Sequence, residues 1–367
     1  MSPGSAAGSE TVQDGVAPEL VGVEALDELL ASARVIVVVG PGGVGKTTIS
    51  AALAARAASV LDRRALVVTV DPARRLADAL GLDRLSDEPS LIPVPSPTGS
   101  GRLWAAMVDM ARAWDRLVER LSPSRRERQE LLGNRLYRLL TRRFVQSHDY
   151  VALEQLLEAT ASGTYDLVVV DTPPSVHALD VLDAPARMIE FFDSRLLRWL
   201  TAPYRSRLAS AAARPFLTVA ERLLGGPFLT EIARFFFLFS RLRDPFVARA
   251  RDVERRLGDR ATSYVVVATP ESGPAATAAR LGQALVDRRH PPALTVLNRS
   301  LDPDVAQLLT GDERPPEVLR PHLGSLVATA ARQRQAGEAL PGRVLTVPWR
   351  PGSVASLDDL LGLLDPT

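Results

Sequence analysis

Residues 40–48 read GPGGVGKTT, and these nine residues constrain the fold more than any other stretch of the chain. They join an apolar run, RVIVVVG (34–40), to a small-residue helical pattern, TTISAALAARAASVL (47–61). Gly40 to Thr47 fits G-x-x-x-x-G-K-[ST] between a strand and a helix. Glycines let backbone N–H groups come close to a polyphosphate, and the helix N-terminus adds its positive end. The cradle consists of Gly40, Gly42, Gly43, Val44, Gly45, Lys46, Thr47 and Thr48. Lys46 is placed to reach the β- and γ-phosphates, and the Thr47 hydroxyl to ligate Mg²⁺. The alternative is a glycine-rich turn without a ligand. Lys46 weighs against that, because it is the chain's only lysine and the other 43 of 44 cationic residues are arginine. A planar guanidinium is a poor substitute for the compact point charge such a loop holds.

The loop sets the reading of the rest. Seven Val/Leu-rich runs have the character of fully buried parallel strands: 34–40, ALVVTVD (65–71), LWAAMVDM (103–110), YDLVVVD (165–171), SYVVVATP (263–270), ALTVLN (293–298) and RVLTVP (343–348). Helical patterns lie between most of them. This alternation predicts an α/β fold, a doubly wound and mainly parallel P-loop NTPase sheet. Residues 111–160 and 185–260 break the alternation with Arg/Glu/Leu-rich helical patterns, and are read as one all-helical subdomain inserted into the sheet domain. The expected organisation is a disordered tail (1–18), an ATPase domain (19–110 with 161–184 and 261–367) and the insert (111–160 with 185–260). Residues 86–101, SDEPSLIPVPSPTGSG, read as a linker, and DERPPE (312–317) as a polar loop.

Forty-four basic residues against 43 acidic ones argue against a nucleic-acid partner. With no cysteine, the chain has no disulfide, thiolate metal site or redox thiol. His148, His177, His290 and His322 are too scattered to suggest a metal cluster. The first twenty residues lack the basic and apolar regions of a signal peptide. The most apolar later stretch, 227–246, is interrupted by Glu231 and Arg234 and is short for a membrane span. A soluble, cytoplasmic protein is therefore expected, with peripheral membrane attachment left open.

Two carboxylates extend the phosphate-site reading. Asp171 ends the run YDLVVVD, where a Walker B aspartate holds Mg²⁺ directly or through water. Asp71 ends ALVVTVD before Pro72. It reads either as a helix N-cap with proline at the first helical position or as the group that orients or deprotonates attacking water. Guanine readers use an Asn/Thr-Lys-x-Asp element, and no second lysine exists to build one. Adenine, hence ATP, is favoured.

The loop, DPARRLADALG (71–81) and VVVDTPPS (168–175) together resemble the arsenite-efflux ATPase family, which includes the targeting ATPase for tail-anchored membrane proteins. VVVATPE (265–271), VLNRS (296–300) and VPW (347–349) follow in the family's order. The resemblance spans roughly residues 33–364, and within the family the chain looks most like one member of the paired ATPases of actinobacteria. It implies that Asp71 activates water in switch I and that Asp171 is the Walker B and switch II aspartate, followed by Thr172 and Pro173. It also implies that Asn298 contacts adenine, that Pro348 lines the base pocket, and that two subunits sandwich nucleotide while the helices face a client or partner.

Three departures stand out. Pro41 replaces a lysine that in the family reaches the other subunit's phosphates, and proline supplies neither charge nor N–H. No cysteine is present for a metalloid site or a bridging zinc. Arg74 and Arg75 stand in the switch turn. Pro41 leaves two readings: a homodimer in which Arg74 or Arg75 replaces the missing cation, or a heteromer with a paralogous ATPase that carries the lysine. Arg74 and Arg75 also read as a solvated helix face. Phe235, Phe236, Phe237 and Phe239 read either as a groove for an apolar or membrane-protein client or as a helix buried in the insert.

The resulting expectation is a Mg²⁺-dependent ATP hydrolase whose catalytic residues are Lys46, Asp71 and Asp171, with Thr47 and Asp171 on the metal. It uses ATP binding and hydrolysis to switch its helices. The rivals are a nucleotide-binding regulatory subunit with little turnover, an arsenite-pump subunit that the lack of cysteine disfavours, and a small-molecule kinase.

Overall fold

Five consecutive buried residues, Val35–Val39, leave a strand with no face to turn to water, so it belongs at the centre of a sheet covered on both sides. The structure, a computed structural model, places it there and describes residues 18–71, 74–143, 148–172, 180–195, 226–302, 305, 322–352, 354 and 356–365. The strands are β1 (Glu19–Leu20), β2 (Val35–Val39), β3 (Arg64–Thr69), β4 (Ser90–Ile92), β5 (Arg102–Met107), β6 (Leu167–Asp171), β7 (Thr262–Ala268), β8 (Pro292–Ser300) and β9 (Arg343–Pro348). They form one nine-stranded sheet in the order β1-β9-β8-β7-β2-β6-β3-β5-β4. Every pair is parallel except β4 with β5. All seven expected strands are present, and the fold is the doubly wound, mainly parallel sheet expected from the alternation.

Two strands were not expected. β1 is two residues long. β4 lies inside the stretch read as a linker, which is a correction to that reading. Leu91 is exposed there while Ile92 turns into the core. Three residues flanked by prolines carry too little alternation to signal a strand, and an edge position tolerates such a segment.

The helices in chain order are α1 (Val23–Ser32), α2 (Lys46–Ser59), α3 (Arg75–Ala79), α4 (Met110–Leu121), α5 (Arg125–Gly133), α6 (Arg135–Arg143), α7 (His148–Ala161), α8 (Asp180–Asp193), α9 (Gly226–Ser240), α10 (Arg243–Leu257), α11 (Ser272–Asp287), α12 (Leu323–Ala339) and α13 (Leu357–Leu363). One face of the sheet, through Ile36, Val38, Val67 and Val169, packs on α1, α2, α3 and α13. Six alanines of α2, buried without exposure, bring this helix close to the sheet and fix where its N-terminus points. The opposite face, through Val35, Val37, Leu66, Val168 and Val170, shares a core with α4 to α12. Among the described residues no helix is long and apolar enough to cross a membrane.

An aromatic cluster organises that second core. Phe246 lies 4.7 Å from both Tyr150 and Phe192, and Phe192 stacks on Phe239 at 5.0 Å. Phe235 and Phe239 are buried, and Phe236 and Phe237 pack partly buried against the same cluster. Of the four α9 rings, Phe235 and Phe239 are thus core, as the buried-helix alternative requires, while Phe236 and Phe237 are only partly covered. The loop 312–317 and the residues 196–225 lie outside the described residues.

A buried carboxylate ties the helices together. Glu154 of α7 is 1% exposed and accepts from Arg120 of α4 at 2.9 Å and from Arg249 of α10 at 2.7 Å. Removing the carboxylate takes their shared buried acceptor from two partly buried guanidinium groups. Glu154→Ala is therefore expected to cost about 3 kcal/mol of stability, read as a lower urea midpoint at unchanged slope.

Candidate functional site

The phosphate loop leaves β2 at Gly40, whose φ is 155° and where an added Cβ would lie 2.3 Å from the Val267 carbonyl oxygen of β7. Gly45, at φ 92°, is the N-cap of α2, and an added Cβ there would lie 2.4 Å from Asn298 Nδ2. Side chains are thus excluded by conformation and by space at both ends of the turn. Gly42 and Gly43 are exposed at its crest, Val44 is buried beneath it, and Thr47 and Thr48 are half-buried in the first turn of α2. Lys46 is 5% exposed, and its Nζ donates to the Gly40 and Pro41 carbonyls, both at 2.9 Å. Burial pulls the Lys46 ammonium below its ordinary value, while nearby Asp171 holds it up.

Strand order brings the two aspartates to this loop. Because β6 lies between β2 and β3, Asp171 pairs in register with Val38 on one side and Thr69 on the other. Asp171 is 1% exposed, and its Oδ2 accepts from Thr47 Oγ1 at 2.8 Å and from Thr69 Oγ1 at 2.9 Å. Its Oδ1 is buried with no hydrogen-bond partner among the described residues. Burial pushes the carboxyl up to about 6, against the two hydroxyl bonds and the Lys46 charge, which hold it down. One residue on, the Thr172 hydroxyl donates to Val38 O at 2.7 Å and ties this segment to the strand that carries the loop.

Asp71 joins the same network. Its amide donates to Thr69 Oγ1 at 3.2 Å, and its Oδ2 accepts from Arg75 Nη1 at 3.0 Å. A continuous chain therefore runs from Asp71 through Thr69 to Asp171 and Thr47. Arg74 occupies the N-cap position of α3, and Asp71 stands three residues ahead of it. Pro72, Ala73 and Pro173 lie outside the described residues. Sequence reasoning missed Thr69. A hydroxyl inside the apolar run VVTVD was the available signal, but only the register of β3 against β6 gives it a partner.

Beside the loop a cavity of about 420 Å³ runs from Gly45 and Thr48 to Asn298, Pro348 and Trp349, a size suited to a small organic ligand. Asn298 is buried at the end of β8. Its Nδ2 donates to Val44 O at 2.8 Å, and its Oδ1 accepts from the Arg299 amide at 2.9 Å. That second bond accompanies a left-handed Arg299, φ 56°. Trp349, 62% exposed at the rim, was not singled out from the sequence. The structure thus brings Lys46, Thr47, Asp71 and Asp171 into one cluster and Asn298 and Pro348 into the adjoining cavity.

Comparison with known proteins gives the family. The family model described as anion-transporting ATPase matches residues 33–310. An uncharacterized protein of Streptomyces coelicolor is 34% identical over 74% of this chain and 63% of its own length. A protein of Halobacterium salinarum, named as a candidate arsenical pump-driving ATPase, is 30% identical over 53% of this chain and 29% of its own. The ATPase get3 of Schizosaccharomyces japonicus is 30% identical over 42% of this chain and 44% of its own. The chain thus spans less than two thirds of the length of each of these relatives.

Proposed function

The chain belongs to the anion-transporting ATPase family, and we propose that it is a Mg²⁺-dependent ATP hydrolase that uses the γ-phosphate to set the position of its helices. The observation that carries this reading is the hydrogen-bond chain Asp71–Thr69–Asp171–Thr47, which ends beside the Lys46 ammonium. Three separate segments, the phosphate loop and the ends of β3 and β6, meet there through one buried carboxylate.

The donor set suits Mg²⁺. Asp171 keeps one buried oxygen with no partner among the described residues, on the carboxylate that accepts from Thr47, and a hard cation of this kind takes one or two protein oxygens plus substrate phosphates. Thr47 and Asp171 would hold it. When bound, it would supply positive charge against the phosphate oxygens. The backbone N–H groups of Gly42 to Lys46 cradle the phosphates, and Lys46 reaches the oxygens between β and γ. Asp71 orients the attacking water. The water oxygen bonds to the γ-phosphorus as the bond from that phosphorus to the bridging oxygen breaks, and the water proton passes to Asp71 or to the departing phosphate. ADP and inorganic phosphate leave. Asn298 and Pro348 face the base.

Losing the γ-phosphate alters both ends of the Thr69-centred chain together, so the segments at 71 and 171 are released as one. The helical insert (111–160 with 185–260) is then the client- or partner-facing part and the remainder the ATPase domain, with a hydrophobic or membrane-protein client and a cytoplasmic or membrane-peripheral setting. Phosphate release is the test. Asp71→Asn is expected to lower kcat about 100-fold and to leave ATP affinity within a few-fold. Unchanged turnover in that variant removes Asp71 from the reaction.

Pro41 favours a second reading, a nucleotide-binding subunit completed by a paralogue that carries the missing lysine. Turnover by the isolated chain that falls on Asp71→Asn overturns it. Silence alone, followed by turnover when such a partner is added, supports it.

A further inference from the structure

We propose that Arg75 is a catalytic cation acting within its own chain, moving from Asp71 to the γ-phosphate of ATP and supplying the positive charge that Pro41 does not. This rests on the ATP-hydrolase reading above. Position 41 places no cation at the loop, and the Pro41 carbonyl is instead an acceptor for Lys46 Nζ at 2.9 Å. With Lys46 the only lysine, any second protein cation at the phosphate end of this chain must be an arginine.

Arg75 is placed for that role. Its Nη1 sits 3.0 Å from Asp71 Oδ2, on the carboxylate proposed to orient water. Its side chain is 60% exposed against 15% for Asp71, so the guanidinium lies on the open side of the pair. The backbone beneath is anchored, because Leu76, Ala77, Ala79 and Leu80 are all buried. The side chain can therefore move without the helix moving.

The exchange is favourable on simple electrostatic grounds. An exposed i,i+4 pair contributes little to stability, whereas guanidinium against phosphate makes two parallel charge-assisted bonds. Moving Arg75 has a second effect: the Asp71–Arg75 ion pair opens when the γ-phosphate arrives. The triphosphate thus recruits the cation and opens its pair with the water-orienting group in one step. The diphosphate, lacking the γ-phosphate, leaves the Asp71–Arg75 pair closed.

The test compares the full chain with Arg75→Ala, Arg75→Lys and Arg74→Ala in three measurements: Mg²⁺-ATP hydrolysis, ATP binding and binding of ADP with aluminium fluoride. Arg75→Ala is expected to lower kcat and ADP–aluminium fluoride affinity about 100-fold, with ATP affinity within about threefold. Arg75→Lys keeps a pair with Asp71 and so the fold, but is expected to recover less than about a tenth of the lost rate because it has no planar fork. An unchanged or faster Arg75→Ala, a lysine variant at the wild-type rate, or a loss that appears in Arg74→Ala instead overturns the proposal. Lys46→Ala separates the two readings. If the unaltered chain binds ADP–aluminium fluoride no more tightly than that variant, the ATP-hydrolase reading has failed rather than the role of Arg75.

Discussion

Lys46→Arg is expected to lower kcat/KM for ATP on the order of 1,000-fold, about 4 kcal/mol of transition-state stabilisation, although arginine serves at every other cationic position of the chain. The reason lies in the shape of the space. The Lys46 ammonium is almost fully buried and bonded to two carbonyls of its own loop. Those carbonyls converge on a point, and a planar guanidinium cannot satisfy them and also present an N–H edge to a phosphate. The loop has no slack to widen, since an added Cβ at Gly40 or Gly45 already overlaps a neighbour. Lys46→Met, which keeps the stem and drops the charge, separates the two contributions. It is expected to lose activity at least as severely while melting at or above the wild-type temperature, because burial disfavours the ammonium it removes. Calorimetric ATP titration and phosphate release check both variants. An arginine variant within tenfold of wild type would show that charge alone selects this residue.

What could be read from the sequence divides along physical lines. The seven long strands were legible because a parallel strand covered on both faces is a continuous apolar run. The phosphate loop was legible because backbone approach to phosphate demands glycine at fixed offsets. Asp171 and Asp71 were legible as carboxylates at strand ends. Their connection was not, because it depends on β6 inserting between β2 and β3, a long-range event with no local signal. Thr69 gains its meaning only there: one register step would turn its hydroxyl to the opposite face of the sheet. Asn298 reaches Val44 across 254 residues of sequence for the same reason. The short edge strand β4 escaped because three residues carry almost no periodicity.

Thr69 also bears on how the site responds to its ligand. A hydroxyl has one proton to donate, and Thr69 gives it to Asp171 while accepting from the Asp71 amide. A change in the charge at Asp171 therefore alters the acidity and orientation of a group that Asp71 leans on, and hydrogen bonds linked in this way strengthen or weaken together. The coupling needs no movement of the sheet, which is closely packed on both faces. It acts at the strand ends, where the chain leaves the sheet.

Asp171→Asn is expected to act in two opposite directions, lowering Mg²⁺-dependent hydrolysis on the order of 1,000-fold and stabilising the fold in Mg²⁺-free buffer above pH 6. The first effect follows from losing the charged oxygen beside Thr47. The second follows from burial. In the folded chain the carboxyl is pushed from 3.8 up to about 6, with the Lys46 charge and the Thr47 and Thr69 hydroxyls opposing the rise and the Asp71 charge adding to it. Between those two values the folded state binds more protons than the unfolded one, so stability falls as pH rises through the window and levels off above it. Above pH 6 the buried anion costs up to about 3 kcal/mol. Asparagine removes that cost but gives the two hydroxyls a weaker acceptor, so a net gain of about 1 kcal/mol is expected. Thermal melts from pH 4 to pH 8 in EDTA should show the wild-type Tm dropping away from the variant's as pH rises toward 6, and a constant gap beyond. Parallel curves across the whole range would mean that Asp171 stays ionised throughout and that its burial is compensated. In that case the hydroxyls of Thr47 and Thr69, rather than a waiting cation, are what the buried carboxylate is built to meet.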